Sequence, residues 1–212
     1  GLITNLPQDC CVEVPVLADV DVLVAGGGTS GVPAAAAAAG EGMSTALLEM
    51  NSGLGGTGTL GGVNTYWYGH KGGFTAEVDR RYLVRAREVR APREAVAHLK
   101  RLPDSGLWHH EARMQALLDL AGGENSDVFF RSTAVGALVR GRRVVGALVA
   151  TPDGLAAVQA KSVVEATGDG DIAAFAGARW TQGAARDGVC LYYSLGPFPQ
   201  PERDPALLNA FL

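Results

Sequence analysis

Gly26, Gly28 and Gly31 stand in the spacing G-x-G-x-x-G, and Glu49 follows them at about the 20-residue distance used by dinucleotide folds. In such a turn the first glycine permits a tight bend and the second lets a pyrophosphate approach the backbone. The third lets a helix lie close on a sheet. A helix starting there offers N–H groups without intrahelical acceptors and the positive end of its dipole, both suited to phosphate. The carboxylate of Glu49 suits the hydroxyls of a ribose. Thr29 and Ser30 fall inside the same turn, and Met50 directly follows the acid. These residue types in this order predict a dinucleotide site.

Two further stretches carry residues that can do chemistry. From Asn51 to Asn64 the chain is too glycine-rich for a stable helix or strand, with Gly55-Gly56-Thr57 and Gly61-Gly62-Val63 inside it. A loop of that length is usually functional or disordered; its place just beyond Glu49 favours a backbone wrapped against the cofactor. Thr65 to Lys71 then forms an aromatic cluster with a basic end, able to wall a reactive ring or simply to pack. His70 is the best candidate for a base there, because imidazole titrates near neutrality. Tyr66 and Tyr68 are weaker candidates, and a purely structural loop histidine is the alternative. Later, Val163-Val164-Glu165 leads into Ala166-Thr167-Gly168-Asp169-Gly170-Asp171, a second strand–glycine–helix junction. It fits beside the first at the carboxyl edge of one sheet, or is a tight turn with Asp171 as N-cap.

The elements that must position these residues follow from pattern. Val22 to Ala25 reads as a buried parallel strand, and the alanine-rich run to Gly40 as a helix that Pro33 bends slightly. Met43 to Leu48 leads to the second strand end. Glu77 to Arg101 is helical, broken at Pro92; its arginines alternate with Glu77, Asp79 and Glu88, which predicts a salt-bridged face. His109 and His110 are neighbours, not three or four apart, so they are assigned no metal. Met114, Leu117, Leu118 and Ala121 make the stripe of another helix, ended by Gly122-Gly123. Val128 to Phe130 is a short strand. Ala134 to Val139, Val144 to Ala150 and Leu155 to Ala160, joined by turn residues, form an antiparallel meander, after which Val163 to Glu165 resumes a buried strand and Ile172 to Gly177 a helix. These elements give an α/β fold class with a parallel sheet, helices and an antiparallel β-meander.

Composition sets bounds. The 212 residues are 47% hydrophobic with a net charge of −4, enough for a core and unfavourable for a general nucleic-acid or anionic-membrane binder. No run approaches a membrane span and no signal-peptide pattern occurs. The chain begins at Gly1, so the compartment stays open, with the cytoplasm favoured. Cys10, Cys11 and Cys190 are too few for a disulfide framework. Residues 1–18 read as an extended lead-in and 19–190 as the nucleotide-binding domain, with 77–110 as a helical insertion. Residues 191–212 read as the start of a further substrate or interface region. The closing run 206–212 has an apolar set, Leu207, Leu208, Phe211 and Leu212, of the kind that marks an interface.

Asp21 to Gly31, Glu49, Gly55-Gly56-Thr57, Gly61-Gly62-Val63 and Glu165 to Asp171 together resemble the FAD-dependent oxidoreductases of the glutathione-reductase-like flavoprotein superfamily. Within it, the chain is most similar to a bacterial family with an Ala-Thr-Gly-Asp-Gly-Asp second motif. The resemblance implies a Rossmann-like FAD-binding three-layer fold with the meander as crossover, and FAD held with Gly26, Gly28, Ser30 and Gly31 on the pyrophosphate and Glu49 on the adenosine ribose. It implies that the Gly55-Gly56-Thr57 loop runs toward the flavin and that the backbone of Val135 meets the adenine. Thr167, Gly168 and Asp169 would pack beside the first turn. Proteins of this kind carry a later segment that completes the flavin and substrate sites, so a second polypeptide, as cleaved remainder or separate subunit, is expected. The activity implied is an oxidoreductase in which FAD accepts hydride from a small organic substrate. The alternatives are a non-catalytic nucleotide-binding subunit and an NAD(P)-dependent dehydrogenase; the latter leaves the glycine loop and the Thr-Gly-Asp motif unexplained. No nucleophile-elbow or P-loop pattern supports a hydrolase or kinase.

Overall fold

The structure, a computed structural model, describes residues 13–65, 72–89, 108–181 and 183. One compact unit runs to Arg179, eleven residues short of the boundary expected at 190. The second unit runs from Trp180 to Leu212. Only Trp180, Thr181 and Gly183 of it are described, so the expectations for 191–212 lie outside the described residues.

Six strands form one mixed sheet: β1 (Val16–Ala25), β2 (Thr45–Glu49), β3 (Ser126–Phe130), β4 (Thr133–Arg140), β5 (Arg143–Thr151) and β6 (Gly154–Glu165), in the order β3-β2-β1-β6-β5-β4. The β3-β2-β1-β6 pairs are parallel, and β5 and β4 add antiparallel strands beyond β6. The sheet is thus mostly Rossmann-like, with the expected meander continuous with it. The larger departures from the sequence reading are at β1 and β6. β1 starts at Val16, inside the expected lead-in, because β6 is long enough to pair with it from Ala157 onward. The two expected segments Leu155 to Ala160 and Val163 to Glu165 are one strand, since Lys161 and Ser162 continue the ladder and Ser162 pairs with Val22. β5 pairs with β6 from Gly154 to Gln159 and β1 with β6 from Ala157 to Glu165, so the two partners overlap at Ala157 to Gln159.

Alternation along β1 and β2 builds two cores, because successive side chains in a strand point to opposite faces. Leu23, Ala25, Ala46 and Leu48 face Val149, Val158 and Ile172 on one side. Val24 and Leu47 face Val32, Ala35, Val78 and Leu117 on the other. Every residue of β2 is buried, which is the pattern of a parallel strand covered on both faces.

Helix α1 (Gly31–Gly40) covers the second face. Pro33 holds its third position, where no intrahelical acceptor is lost, and the next N–H, of Ala34, already bonds the Ser30 carbonyl. Helix α2 (Phe74–Glu88) begins three residues before the predicted Glu77; Pro92 lies outside the described residues. It packs on α3 (His110–Ala121) through Tyr82, Ala86, Ala112 and Ala116. The predicted ionic face is present: Glu77 binds Arg80 and Arg81, and Arg85 forks onto Asp119 at 2.7 and 2.6 Å. The Arg85 guanidinium accordingly holds the Asp119 carboxyl below its usual range. Helix α4 (Asp171–Phe175) is shorter than predicted.

Candidate functional site

Register decides where the motifs meet. Ala25 pairs with Leu48 on one side and with Glu165 on the other. The chain therefore leaves β1, β2 and β6 at the same edge, so the Gly26 turn, the Asn51 loop and the Ala166 turn emerge together. The carboxyl edge of a parallel sheet is where open α/β folds bind ligands.

The three motif glycines do different things. A Cβ on Gly26, whose φ is 104°, would lie 2.2 Å from the Ala166 carbonyl oxygen; one on Gly31 would lie 1.7 Å from the Gly26 oxygen. Real Cβ atoms do not approach backbone so closely, so both positions hold the turn against its surroundings. Gly28 has nothing within 4 Å of where a Cβ would stand. That open space belongs to a cleft of about 350 Å³ lined by Gly26, Gly28, Thr29 and Ser30 on one wall. Ser30 at the head of α1 makes no side-chain capping bond, so the positive end of the helix meets the cleft without a cap of its own.

Opposite stands Glu49, buried at 4% exposure. One carboxylate oxygen accepts from the Gly27 N–H at 3.0 Å; the other accepts from the backbone N–H and side-chain amide of Asn51 at 2.7 and 2.8 Å. Three bonds leave acceptor capacity on a carboxylate that has about four lone-pair sites. Behind it, Ser132 donates its N–H to the Glu49 carbonyl and Arg131 donates its own to the Asn51 carbonyl. Arg131 takes φ 52° to make that turn, a conformation uncommon for a side-chain-bearing residue. The turn brings Ser132, Thr133 and Ala134 to the cleft wall, with Met50, Gly56 and Thr57 completing that side.

At the second junction Thr167, Gly168, Asp169 and Asp171 line the cleft. Here Glu165 supplies the cap: one carboxylate oxygen accepts from Thr167 N–H, the other from Ile172 N–H, both at 2.7 Å. The Thr167 hydroxyl accepts from the N–H groups of Gly170 and Asp171 at 3.2 and 3.1 Å. Asp171 is therefore the first helical residue, not the N-cap that one reading of the sequence gave it. Gly170 holds the cap position.

Among the described lining residues none is cationic. A bound diphosphate would therefore rely on backbone N–H groups and the α1 dipole rather than on lysine or arginine. No three His, Cys, Asp or Glu side chains gather for a metal among the described residues.

The glycine loop is ordered by long-range bonds. Gly55 N–H donates to the Gly27 carbonyl at 2.8 Å, tying the loop to the turn between β1 and α1. The Thr59 hydroxyl donates to the Leu54 carbonyl at 2.6 Å. A single 3-10 turn, Gly56–Gly58, follows, and the indole N–H of Trp108 donates to the Gly58 carbonyl at 2.7 Å. Behind this turn lies a second cavity of about 530 Å³ that shares Thr29 and Thr57 with the cleft and continues to Phe74, Val78, Trp108 and Arg113.

Of the residues expected at the cofactor, Gly26, Gly28, Thr29, Ser30, Glu49, Met50, Gly56, Thr57, Thr167, Gly168 and Asp169 line the cleft. Gly31 and Gly55 stand behind its wall. Gly61 and Gly62 close the turn after the 3-10 segment by donating to Gly56 and Thr59, while Val63 lines the second cavity. Val135 sits at a register shift of the β4–β5 ladder, 38% exposed, next to Thr133 and Ala134, which line the cleft. His70, with Tyr66 and Tyr68, lies outside the described residues. The sequence reading did not single out Asn51, Ser132, Trp108 or Arg113. Asn51, two residues past the acid, was the one within reach of a local pattern.

Comparison with known proteins bears on this geometry. The sequence profile described as "FAD dependent oxidoreductase" matches residues 21–207. No curated protein sequence matches the chain. Among solved structures, the chain is similar to a geranylgeranyl bacteriochlorophyll reductase-like protein of Thermoplasma acidophilum, with TM-score 0.54 and 23% identity over 76% of this chain and 42% of that one. It is also similar to THI4 of Thermovibrio ammonificans, with TM-score 0.50 and 19% identity over 74% and 61%. For the anhydrotetracycline hydroxylase OxyS of Streptomyces rimosus the values are 0.51 and 19% over 74% and 33%. At these identities the likeness is one of fold. The chain spans less than two thirds of each. No helix among the described residues is long and apolar enough to cross a membrane.

Proposed function

The chain belongs to the FAD-dependent oxidoreductase family, and from that premise we propose that it holds FAD in the cleft at the carboxyl edge of the sheet and uses it to oxidise a small organic substrate. The bound flavin supplies the hydride-accepting chemistry; the protein supplies binding, orientation and exclusion of water. One observation carries the assignment: the space over Gly28, at the uncapped head of α1, is open while the other two motif glycines are packed against backbone. The diphosphate lies there, against N–H groups of the first helical turn. Glu49, preset by Gly27 and Asn51, accepts from the adenosine ribose, and Ser132 to Ala134 flank the adenine side. Thr57, common to both cavities, marks the way from the diphosphate toward the flavin ring.

We also place the chain in the glutathione-reductase-like branch, with Glu165 to Asp171 as its second motif. The support is β6, which leaves the meander, joins the parallel strands and ends at that motif. His70 is proposed as a base beside the flavin; His70→Ala then slows flavin reduction more than it weakens FAD binding.

The test is to release the cofactor by denaturation, identify it by mass, and follow loss of visible flavin absorbance under anaerobic addition of small alcohols, amines and saturated acids. FAD release with bleaching by one of these classes is expected. A folded protein that releases NAD, or nothing, overturns the cleft assignment.

A further inference from the structure

We propose that the tip of the β4–β5 hairpin, with the groove beside it, is a docking surface for a short, acidic, extended segment of a partner protein. No residue lines both this groove and the cofactor cleft, so the inference stands apart from the FAD assignment. The hairpin sets like charges against one another. Arg140 and Arg143 are partners across the ladder, and Gly141, with φ 64°, and Arg142 make the turn between them. Like charges directly opposite in a ladder are destabilising, and no acid relieves these among the described residues. The side chains of Arg140 and Arg142 make no ion pair there, and the Arg143 guanidinium donates to a carbonyl, that of Lys161, at 2.6 Å. The arginines of α2 differ: Arg80, Arg81 and Arg85 are each neutralised by Glu77, Glu88 or Asp119. Arg140, Arg143 and Lys161 line a groove of about 550 Å³, with Ala137 to Val139 as its apolar wall. Of the two acids nearby, Asp21 is engaged by Lys161 and Asp19 lines the groove. Three arginines are thus set against one uncommitted carboxylate. Neighbouring strands lie about 4.8 Å apart, so the cations on β4, β5 and β6 form a row about 10 Å long. Carboxylates at alternate positions of an extended segment, about 6.6 Å apart, fit that row, and Val139, 48% exposed, offers an apolar contact beside it. A long polyanion fits less well. The chain as a whole carries −4, so nucleic acid or an anionic bilayer meets repelling acids beyond the patch, whereas a short acidic segment covers the patch alone.

The experiment is fluorescence anisotropy of the purified protein with a short rhodamine-labelled peptide of alternating glutamate and serine, and with its glutamine counterpart. The glutamate peptide is expected to bind about tenfold or more tightly at about 50 mM salt, and the difference narrows at about 500 mM. Arg140→Glu with Arg142→Glu removes the preference, and both side chains are exposed, so the fold is kept. Arg87→Glu with Arg179→Glu, also exposed, changes the net charge equally and keeps the preference. FAD content stays the same in all of these proteins. Equal affinity for the two peptides, or a preference that survives the hairpin reversal, overturns the proposal. So does an equal loss in the Arg87 and Arg179 control, which would make the effect one of net charge. Tighter binding of oligothymidylate or of phosphatidylserine vesicles, abolished by the hairpin reversal, would give the patch to nucleic acid or membrane and also overturns it. Should the hairpin reversal not fold, Arg142→Gln at the turn decides: it weakens the glutamate peptide and leaves the glutamine peptide unchanged.

Discussion

The two strand–glycine–helix junctions look alike in sequence and are opposite in their electrostatics. At the first, β1 runs through Gly26 to Gly31 into α1, whose leading residue makes no side-chain cap and whose first turn faces an open cleft. At the second, β6 runs through Ala166 to Gly170 into α4, and the leading N–H groups are taken by the carboxylate of Glu165 and the hydroxyl of Thr167. A helix head that is satisfied from within has little left for an anion; one that is not is a ready anion site. Proximity to the cleft therefore does not make two glycine turns equivalent. The first leaves its helix head open to the cleft, and the second closes its own with Glu165 and Thr167.

The largest expected effect separates packing from binding inside the first junction. Gly31→Ala should cost about 3 kcal/mol or more of stability, since its Cβ meets the Gly26 carbonyl and backbone must move. Gly28→Val should leave the apoprotein's melting temperature near that of wild type while abolishing FAD binding. Thermal melts with FAD titrations read both, and a Gly28→Val protein that binds FAD normally would remove the contrast.

Next is the second junction. Glu165→Ala strips the caps from α4 and is expected to cost about 1–3 kcal/mol, seen as a lower denaturant midpoint, with FAD affinity changed less than stability. If affinity falls as steeply as in Gly28→Val, the second junction is a binding element and the distinction fails.

Glu49→Gln should be milder for folding and specific for the cofactor. One carboxylate oxygen becomes an amide, and a charge-assisted bond of about 1.5–3 kcal/mol to the ribose is weakened. Equilibrium titration should show about a tenfold loss or more for FAD, and no loss for riboflavin monophosphate, which lacks the adenosine ribose.

The smallest effect lies at the opposite edge, where Asp21 ties the strands bearing both junctions. Its carboxylate accepts from Lys161 on β6 and from Ser44 ahead of β2. The Lys161 bond, then those of Ser44, lower its pKa from 3.8 to about 2. A depressed folded-state pKa contributes stability that is present above the ordinary value and is lost as pH falls through about 2. Wild type should thus lose stability more steeply than Asp21→Asn over that window. The difference should be small, because the pair is exposed and screened by solvent. Parallel acid titration curves for the two proteins would remove Asp21 as a tie.

Much of this was legible along the chain. Spacing alone placed the strand–glycine–helix turn of Gly26, Gly28 and Gly31, the strand end at Glu49 and the late Thr-Gly-Asp junction, because such a turn is a local object whose conformational demands fall on neighbouring residues. The meander was legible from turn residues between apolar runs. Strand ends were less so: β6 reads as two pieces, since its polar pair Lys161 and Ser162 interrupts the hydrophobic pattern, and only the partner β1 carries the ladder across it.

What the tertiary structure alone decided is the division of labour among residues that the sequence makes equal. Gly26 and Gly28 are two places apart, yet one abuts Ala166 and the other faces open space, because the second junction arrives from far along the chain and reaches only the first of them. Glu165 caps a helix instead of merely ending a strand, and Trp108 clamps Gly58 across a separation of 50 residues. Such contacts are set by strand register and helix packing. Those depend on the whole buried pattern, so no local spacing encodes which partner a side chain will meet.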